Sequence, residues 1–236
     1  MGSFRLFRFF GIDIRAHISF LFLPLFFGLL YGRDHGVAVG LRAFVLIILI
    51  FACVLGHELS HSLAARVYGI RVPHITFYAM GGVASMQRIP RKPSQEIIIS
   101  LVGPFFNFAL AAILYFPFLG LLGRETLMSP SLDSWPGTWA NLFWVNPVLG
   151  AFNLLPAFPM DGGRIFRALL SMRVGRGKAT QISAFLGHIF AILFFILGIW
   201  YRHWMLLLVG LYIFQAASRE NLQTKLEEPM GYEPRN

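Results

Sequence analysis

Val54-Leu55-Gly56-His57-Glu58-Leu59-Ser60-His61-Ser62-Leu63-Ala64-Ala65 sets a His-Glu-x-x-His signature inside a run of residues apolar enough to cross a bilayer. On a helix, His57 and His61 are four residues apart and stand one above the other, so both imidazoles reach a single metal ion. Glu58 projects about 100° round the helix from His57. A carboxylate at that offset does not ligate the metal; it takes the proton of the attacking water. A charged group at a helix centre in lipid costs on the order of a few kcal/mol, so a His-Glu-His triplet at that depth reads as functional. A lone histidine on an apolar face would read as a satisfied core residue; two at this spacing, with the glutamate between them, do not.

Composition agrees with a membrane setting. Of 236 residues, 56% are hydrophobic and 13% charged, and the mean hydropathy is +0.64, which argues against a soluble domain. A single cysteine excludes an intrachain disulfide framework. Cys53 lies one turn before His57 and reads as a small buried core residue rather than a soft ligand. The formal charge of +9 does not point to nucleic acid, because the basic residues fall between apolar runs instead of on one amphipathic element.

Read in order, the chain predicts an all-α polytopic membrane protein with about six transmembrane helices and a small membrane-associated β-hairpin. The expected spans are 16–32, 43–65, 97–122, 139–156, about 183–200 and about 204–217. They form one domain over 1–218, followed by a short charged tail over 219–236. The hairpin falls within Val72–Met86, where β-branched and aromatic residues surround Gly81-Gly82. Such a strand pair needs partners or water for its backbone, so it is expected against the helices at the mouth of the site. Its edge would hold an unwound substrate segment by strand addition, with Ile75, Phe77, Val83 and Ser85 as substrate-binding positions.

In the third span, Ser100, Gly103, Pro104 and Asn107 share a helix face, and small residues there permit close helix approach. After the fourth span come Asn153-Leu154-Leu155-Pro156-Ala157-Phe158-Pro159-Met160-Asp161-Gly162-Gly163. Two prolines three apart end a helix, so Asp161 is expected on an unwound segment lining a cavity, as a metal-site carboxylate. A basic loop with Arg164, Arg167, Arg173, Arg176 and Lys178 is expected to follow. With six spans, 16 of the 20 Lys and Arg residues fall on one side and 4 on the other, which puts both termini in the cytoplasm. The second and fourth spans then both run inward, bringing His61 and Asp161 to the same side.

These motifs resemble the site-2 protease family of intramembrane zinc metalloproteases, in the prokaryotic branch related to sporulation-factor processing enzymes. His57-Glu58-Leu59-Ser60-His61, Gly103-Pro104-Phe105-Phe106-Asn107 and Asn153 through Asp161-Gly162 carry the match. Met160 stands where the family more often has Leu. The resemblance implies that His57, His61 and Asp161 bind one catalytic zinc ion, that Glu58 is the acid/base, and that Asn107 and Asn153 support the site. It implies a multi-pass protein of the inner (plasma) membrane that cuts transmembrane protein substrates in the bilayer, with a regulatory membrane protein as a further partner. Many relatives add cytoplasmic CBS modules after the last span; none falls within these residues.

Two other classes fit less well. A zinc transporter needs polar ligands strung along a path through the bilayer, and the fifth and sixth spans offer almost none. A catalytically silent adaptor has no need of Glu58 together with three ligands.

Overall fold

The computed structural model describes residues 2–79, 81–87, 90 and 92–227, with side chains to residue 222. Most of the chain is helical, and a four-stranded sheet accompanies the helices. It forms two compact units, Met1–Ile89 with Val102–Gly150, and Pro90–Leu101 with Ala151–Asn236.

The first unit begins with β1 (Ser3–Phe9) and β2 (Ile12–His17), which pair antiparallel. No strand was expected there. The signal is the alternation in β2, where Ile12, Ile14 and Ala16 are buried and Asp13, Arg15 and His17 are not. A short 3-10 turn over Ile18–Leu21 leads into α1 (Phe22–His35), so the first apolar run is partly strand and turn, and its helix is shorter than expected. Next come α2 (Val37–Val67), β3 (His74–Tyr78) and β4 (Gly81–Ala84). The predicted hairpin therefore forms as β3 and β4, but as half of a sheet ordered β1-β2-β3-β4. β3 pairs parallel with β2 and antiparallel with β4, so β3 is interior and β4 is an edge.

The sheet is held on α2 by apolar burial. Ile12, Ile14, Ile75 and Phe77 pack with Phe51 and Leu59 of α2. Close helix contacts depend on glycine. A Cβ at Gly40 of α2 would strike the backbone of α1 at Gly28 and Gly32. α3 (Pro93–Met128) is broken at Gly123 (φ 77°), so its regular part ends where the third apolar run ends. From Val102 onward it belongs to this unit, and a Cβ at Gly56 of α2 would strike the ring of Phe106. α4 (Trp135–Asn153) completes the unit as far as Gly150.

In the second unit, the chain leaves α4 through an irregular stretch and enters α5 (Asp161–Val174), α6 (Arg176–Trp200) and α7 (Trp204–Glu227). The expected basic loop is instead the amphipathic helix α5. Its Arg167 is 3% exposed and lies over the Phe158 ring at 4.9 Å. Its guanidinium donates to Glu96 (Nε–Oε1 2.9 Å, and a closer contact from Nη2) and to Glu220 (Nη1–Oε1 2.6 Å). Arg176 approaches the other Glu96 oxygen at 3.5 Å. Glu96 is thus engaged by arginines.

Among the described residues, three helices are long and apolar enough to cross a membrane: α2, α3 and α6. α1 has 14 residues, about 21 Å at 1.5 Å per residue, against a hydrocarbon core of about 30 Å. The last half of α7 is charged. Apolar side chains nonetheless stand outward, among them Leu29 on α1, Phe116 and Leu121 on α3, and Ile196 and Ile199 on α6, as a lipid-facing surface requires.

Because Arg167 is buried between two carboxylates, its removal strands negative charge that water cannot reach. Arg167→Met is expected to destabilise the protein by about 3–5 kcal/mol, and Glu96→Gln in the same chain to recover part of the loss. Reversible unfolding in mixed micelles measures both.

Candidate metal centre

His57 and His61 lie in the C-terminal third of α2 and are 4% and 5% exposed. Their rings are 4.6 Å apart at 81°, and the two Nε2 atoms converge to 3.0 Å. Four-residue helical spacing alone brings the rings together; their orientation needs more. His57 Nδ1 lies 2.6 Å from Asn107 Oδ1 of α3, so the histidine donates from Nδ1 and its Nε2 carries the lone pair. Asn107, expected to support the site, turns its oxygen to the histidine. Such a partner fixes ring orientation and raises ligand basicity.

The space beside the two nitrogens exists only because residue 103 is glycine. A Cβ there would come within 2.7 Å of His57 Nε2 and collide with His61 Nε2. The small-residue face of α3 thus does more than permit close packing. It leaves open the space that the convergent nitrogens face.

Glu58 is half-buried, one residue round the helix. β4 passes close to it, since a Cβ at Gly82 would sit 3.1 Å from Glu58 Cγ. An edge strand therefore runs beside the expected acid/base. Of the expected substrate-binding positions, Val83 is 53% exposed on that strand. Ser85 follows it, with Oγ 2.9 Å from His74 Nε2 and N–H donating to His74 O. Ile75 and Phe77 correct the expectation. They are 0% and 4% exposed in β3, whose backbone is paired on both sides, and so they serve the core and cannot accept an added strand.

Asp161 is 8% exposed and is the first residue of α5, rather than lying within the unwound stretch before it. A carboxylate in the first helical turn is favoured by the N-terminal dipole. Gly162 and Gly163 explain the abrupt start. A Cβ at either would strike backbone atoms between Leu154 and Phe158, so the first turn of α5 closes onto that stretch only as Gly-Gly. Asn153 ends α4 and is half-buried.

Among the described residues, His57 and His61 of the first unit and Asp161 of the second offer the donors that could hold one metal ion. The donor set fits zinc: two imidazole nitrogens and one carboxylate oxygen, with a fourth tetrahedral position left open, as in catalytic rather than structural sites. The Nε2 lone pair of His57 and the gap at Gly103 fit such an ion on their own geometry.

Asn146 of α4 is a further polar residue beside the histidines that no motif marks. It is fully buried and accepts from Asn107 Nδ2 at 3.0 Å. Its only signal in the sequence is an amide inside an apolar run.

The chain was compared with known proteins. The signature of peptidase family M50 matches residues 45–134 and 127–197. Zinc metalloprotease MJ0392 of Methanocaldococcus jannaschii is 36% identical over 226 residues, covering 95% of this chain and 62% of that protein. The putative zinc metalloprotease Rip3 of Mycobacterium tuberculosis is 31% identical over 194 residues, 77% of this chain and 47% of that one. Stage IV sporulation protein FB of Bacillus subtilis is 24% identical over 189 residues, 79% and 57%. The chain thus spans about half to three fifths of the length of these curated relatives. Among solved structures, a site-2 protease from Methanocaldococcus jannaschii superposes with a TM-score of 0.69 at 34% identity, covering 93% of this chain and 95% of that one. With the His-Glu-x-x-His helix, the Asp-Gly turn and the fold agreeing, this chain belongs to peptidase family M50, the site-2 protease family.

Proposed function

We propose that this chain is an intramembrane zinc metalloprotease that hydrolyses peptide bonds in or near transmembrane segments of membrane-anchored proteins. The convergence of two buried histidine nitrogens beside Glu58, under an edge strand, is the observation that carries this reading. His57, His61 and Asp161 are the proposed ligands, and Asn107 and Asn153 the supporting residues. Zinc, when bound, supplies a Lewis acid that polarises the scissile carbonyl and activates water at neutral pH. Glu58 takes the proton of the attacking water and returns it to the leaving amine.

A transmembrane helix hides its carbonyls in its own hydrogen bonds, so the substrate has to unwind before it is cut. β4 offers the freed backbone a partner. Ser85 N–H points to His74, so alternation turns the groups of Gly82 and Ala84 away from β3. Substrate adding there as a further strand would lie beside Glu58. Residues that weaken helices, Gly, Pro or Asn, are expected near the cut.

Six spans with both termini in the cytoplasm remain the proposed layout in the inner membrane, with α1, α4 and α7 joining the three long apolar helices. The bias in basic residues and the exposed apolar faces of α1 support it.

Four outcomes test this reading. Glu58→Gln is expected to retain stoichiometric zinc and to lose at least about 100-fold in cleavage, the scale of a missing acid/base. Asp161→Ala should lose both zinc and cleavage; metal analysis and a gel assay with a single-span substrate read the two separately. In a Cys53→Ser background, cysteines at Ser94 and Met172 should label only from the cytoplasmic side and one at Ser134 only from outside; Ser94 and Ser134 labelling from one side would refute six spans. Finally, Ala84→Pro removes an outward donor from the free edge and should impair cleavage with zinc still bound. Full activity in that variant would exclude strand addition.

A further inference from the structure

Asn146 and Asn107 are both fully buried, and together they run from a helix backbone to the ring of His57. The direction of this chain of hydrogen bonds is decided at its far end. The carbonyl of Leu142 can only accept, and Asn146 Nδ2 donates to it at 3.0 Å and to Cys53 Sγ at 3.5 Å. The amide oxygen of Asn146 must then face Asn107, whose Nδ2 donates to it at 3.0 Å. Asn107 is left with its oxygen toward His57, at 2.6 Å from Nδ1. A carbonyl oxygen there requires the proton on Nδ1, which puts the lone pair on Nε2, the atom that converges with His61.

Reversing Asn146 alone would set N–H against N–H, and reversing Asn107 alone would set oxygen against oxygen. Reversing both would press the Asn146 oxygen against the Leu142 oxygen and turn an Asn107 N–H toward His57, favouring the opposite tautomer. A backbone carbonyl has no second state, so the polarity cannot invert without losing buried hydrogen bonds.

We infer that Asn146 is a positioning residue: through Asn107 it holds His57 in the tautomer that presents an unprotonated Nε2 to a metal ion. The inference rests on His57 being a ligand, as proposed above, but the tautomer is measurable without metal.

The test uses the full chain in detergent micelles with 15N-labelled histidine. In zinc-free protein, His57 should appear as the Nδ1–H tautomer. Asn146→Leu should give a mixture of tautomers, and zinc affinity, measured by competition with a chelator, should fall by about 10–100-fold. Asn107→Asp supplies an acceptor-only partner whose preference does not depend on residue 146. The double variant Asn107→Asp/Asn146→Leu should therefore recover the Nδ1–H tautomer and most of the affinity. A packing role for Asn146 would not be repaired in this way. An unchanged tautomer in Asn146→Leu overturns the inference, as does a double variant no better than the single one. If Asn146→Leu does not fold, Asn146→Asp decides. Its oxygen still accepts from Asn107, so a mixed tautomer in that variant overturns the inference. A changed tautomer with unchanged zinc affinity would leave the relay standing and remove His57 from the proposed ligands.

Discussion

The first unit depends on the close approach of α2 and α3. Gly56 admits the Phe106 ring on one side, and Gly103 sits against the two histidine nitrogens on the other. Larger side chains at either place would hold the helices apart and take Asn107 away from His57. In a bilayer, helix association gains little from the hydrophobic effect, so van der Waals fit at small residues and buried hydrogen bonds carry it. Here the same contact supplies both, and the site is a consequence of how the helices fit.

Two buried polar networks are solved differently in the two units. Behind His57 stand the neutral amides of Asn107 and Asn146, which pass directionality from a backbone carbonyl to an imidazole. Around Arg167 the partners are charged, and the cation is enclosed by Glu96 and Glu220 and faces Phe158. Neutral donors and acceptors orient a ring without adding a field that would compete with a divalent ion. The ionic cluster ties the start of α3 to α5 and α7, and α5 is the helix that begins with Asp161. A carboxylate on a helix anchored this way has its backbone position held by distant contacts as well as by its own first turn.

The sheet raises a second constraint, since strands beside apolar helices need all their backbone groups paired. β2 and β3 are paired on both sides and contribute Ile12, Ile14, Ile75 and Phe77 to the core on α2. Among the described residues, only the outer strands lack a neighbouring strand on one side, and one of them, β4, is the strand next to Glu58. An unpaired edge is a liability in most proteins. Beside the proposed catalytic centre, it is the edge to which we propose an unwound substrate adds.

By itself the sequence determined the pairing of His57 with His61 on one helix face and most of the helices. Periodicity places His57 and His61 on one face, prolines end α4 before Asp161, and long apolar runs mark α2, α3 and α6, all of them local signals. Other features were misread because their signals are weak or shared. The β1–β2 pair was hidden in a basic N-terminus, and α5 carries enough arginine to read as a loop. Ile75 and Phe77 have strand character whether the strand is an edge or an interior one, because strand propensity does not record which neighbours lie alongside. Only the tertiary structure decided that β3 is interior, that Asn107 turns its oxygen to His57, and that Asn146 stands behind it. Those facts depend on residues 39 to 93 positions apart in the chain meeting in space. Hydrogen-bond direction in such a relay is set by its last acceptor, the Leu142 carbonyl, which no local pattern in the sequence reveals.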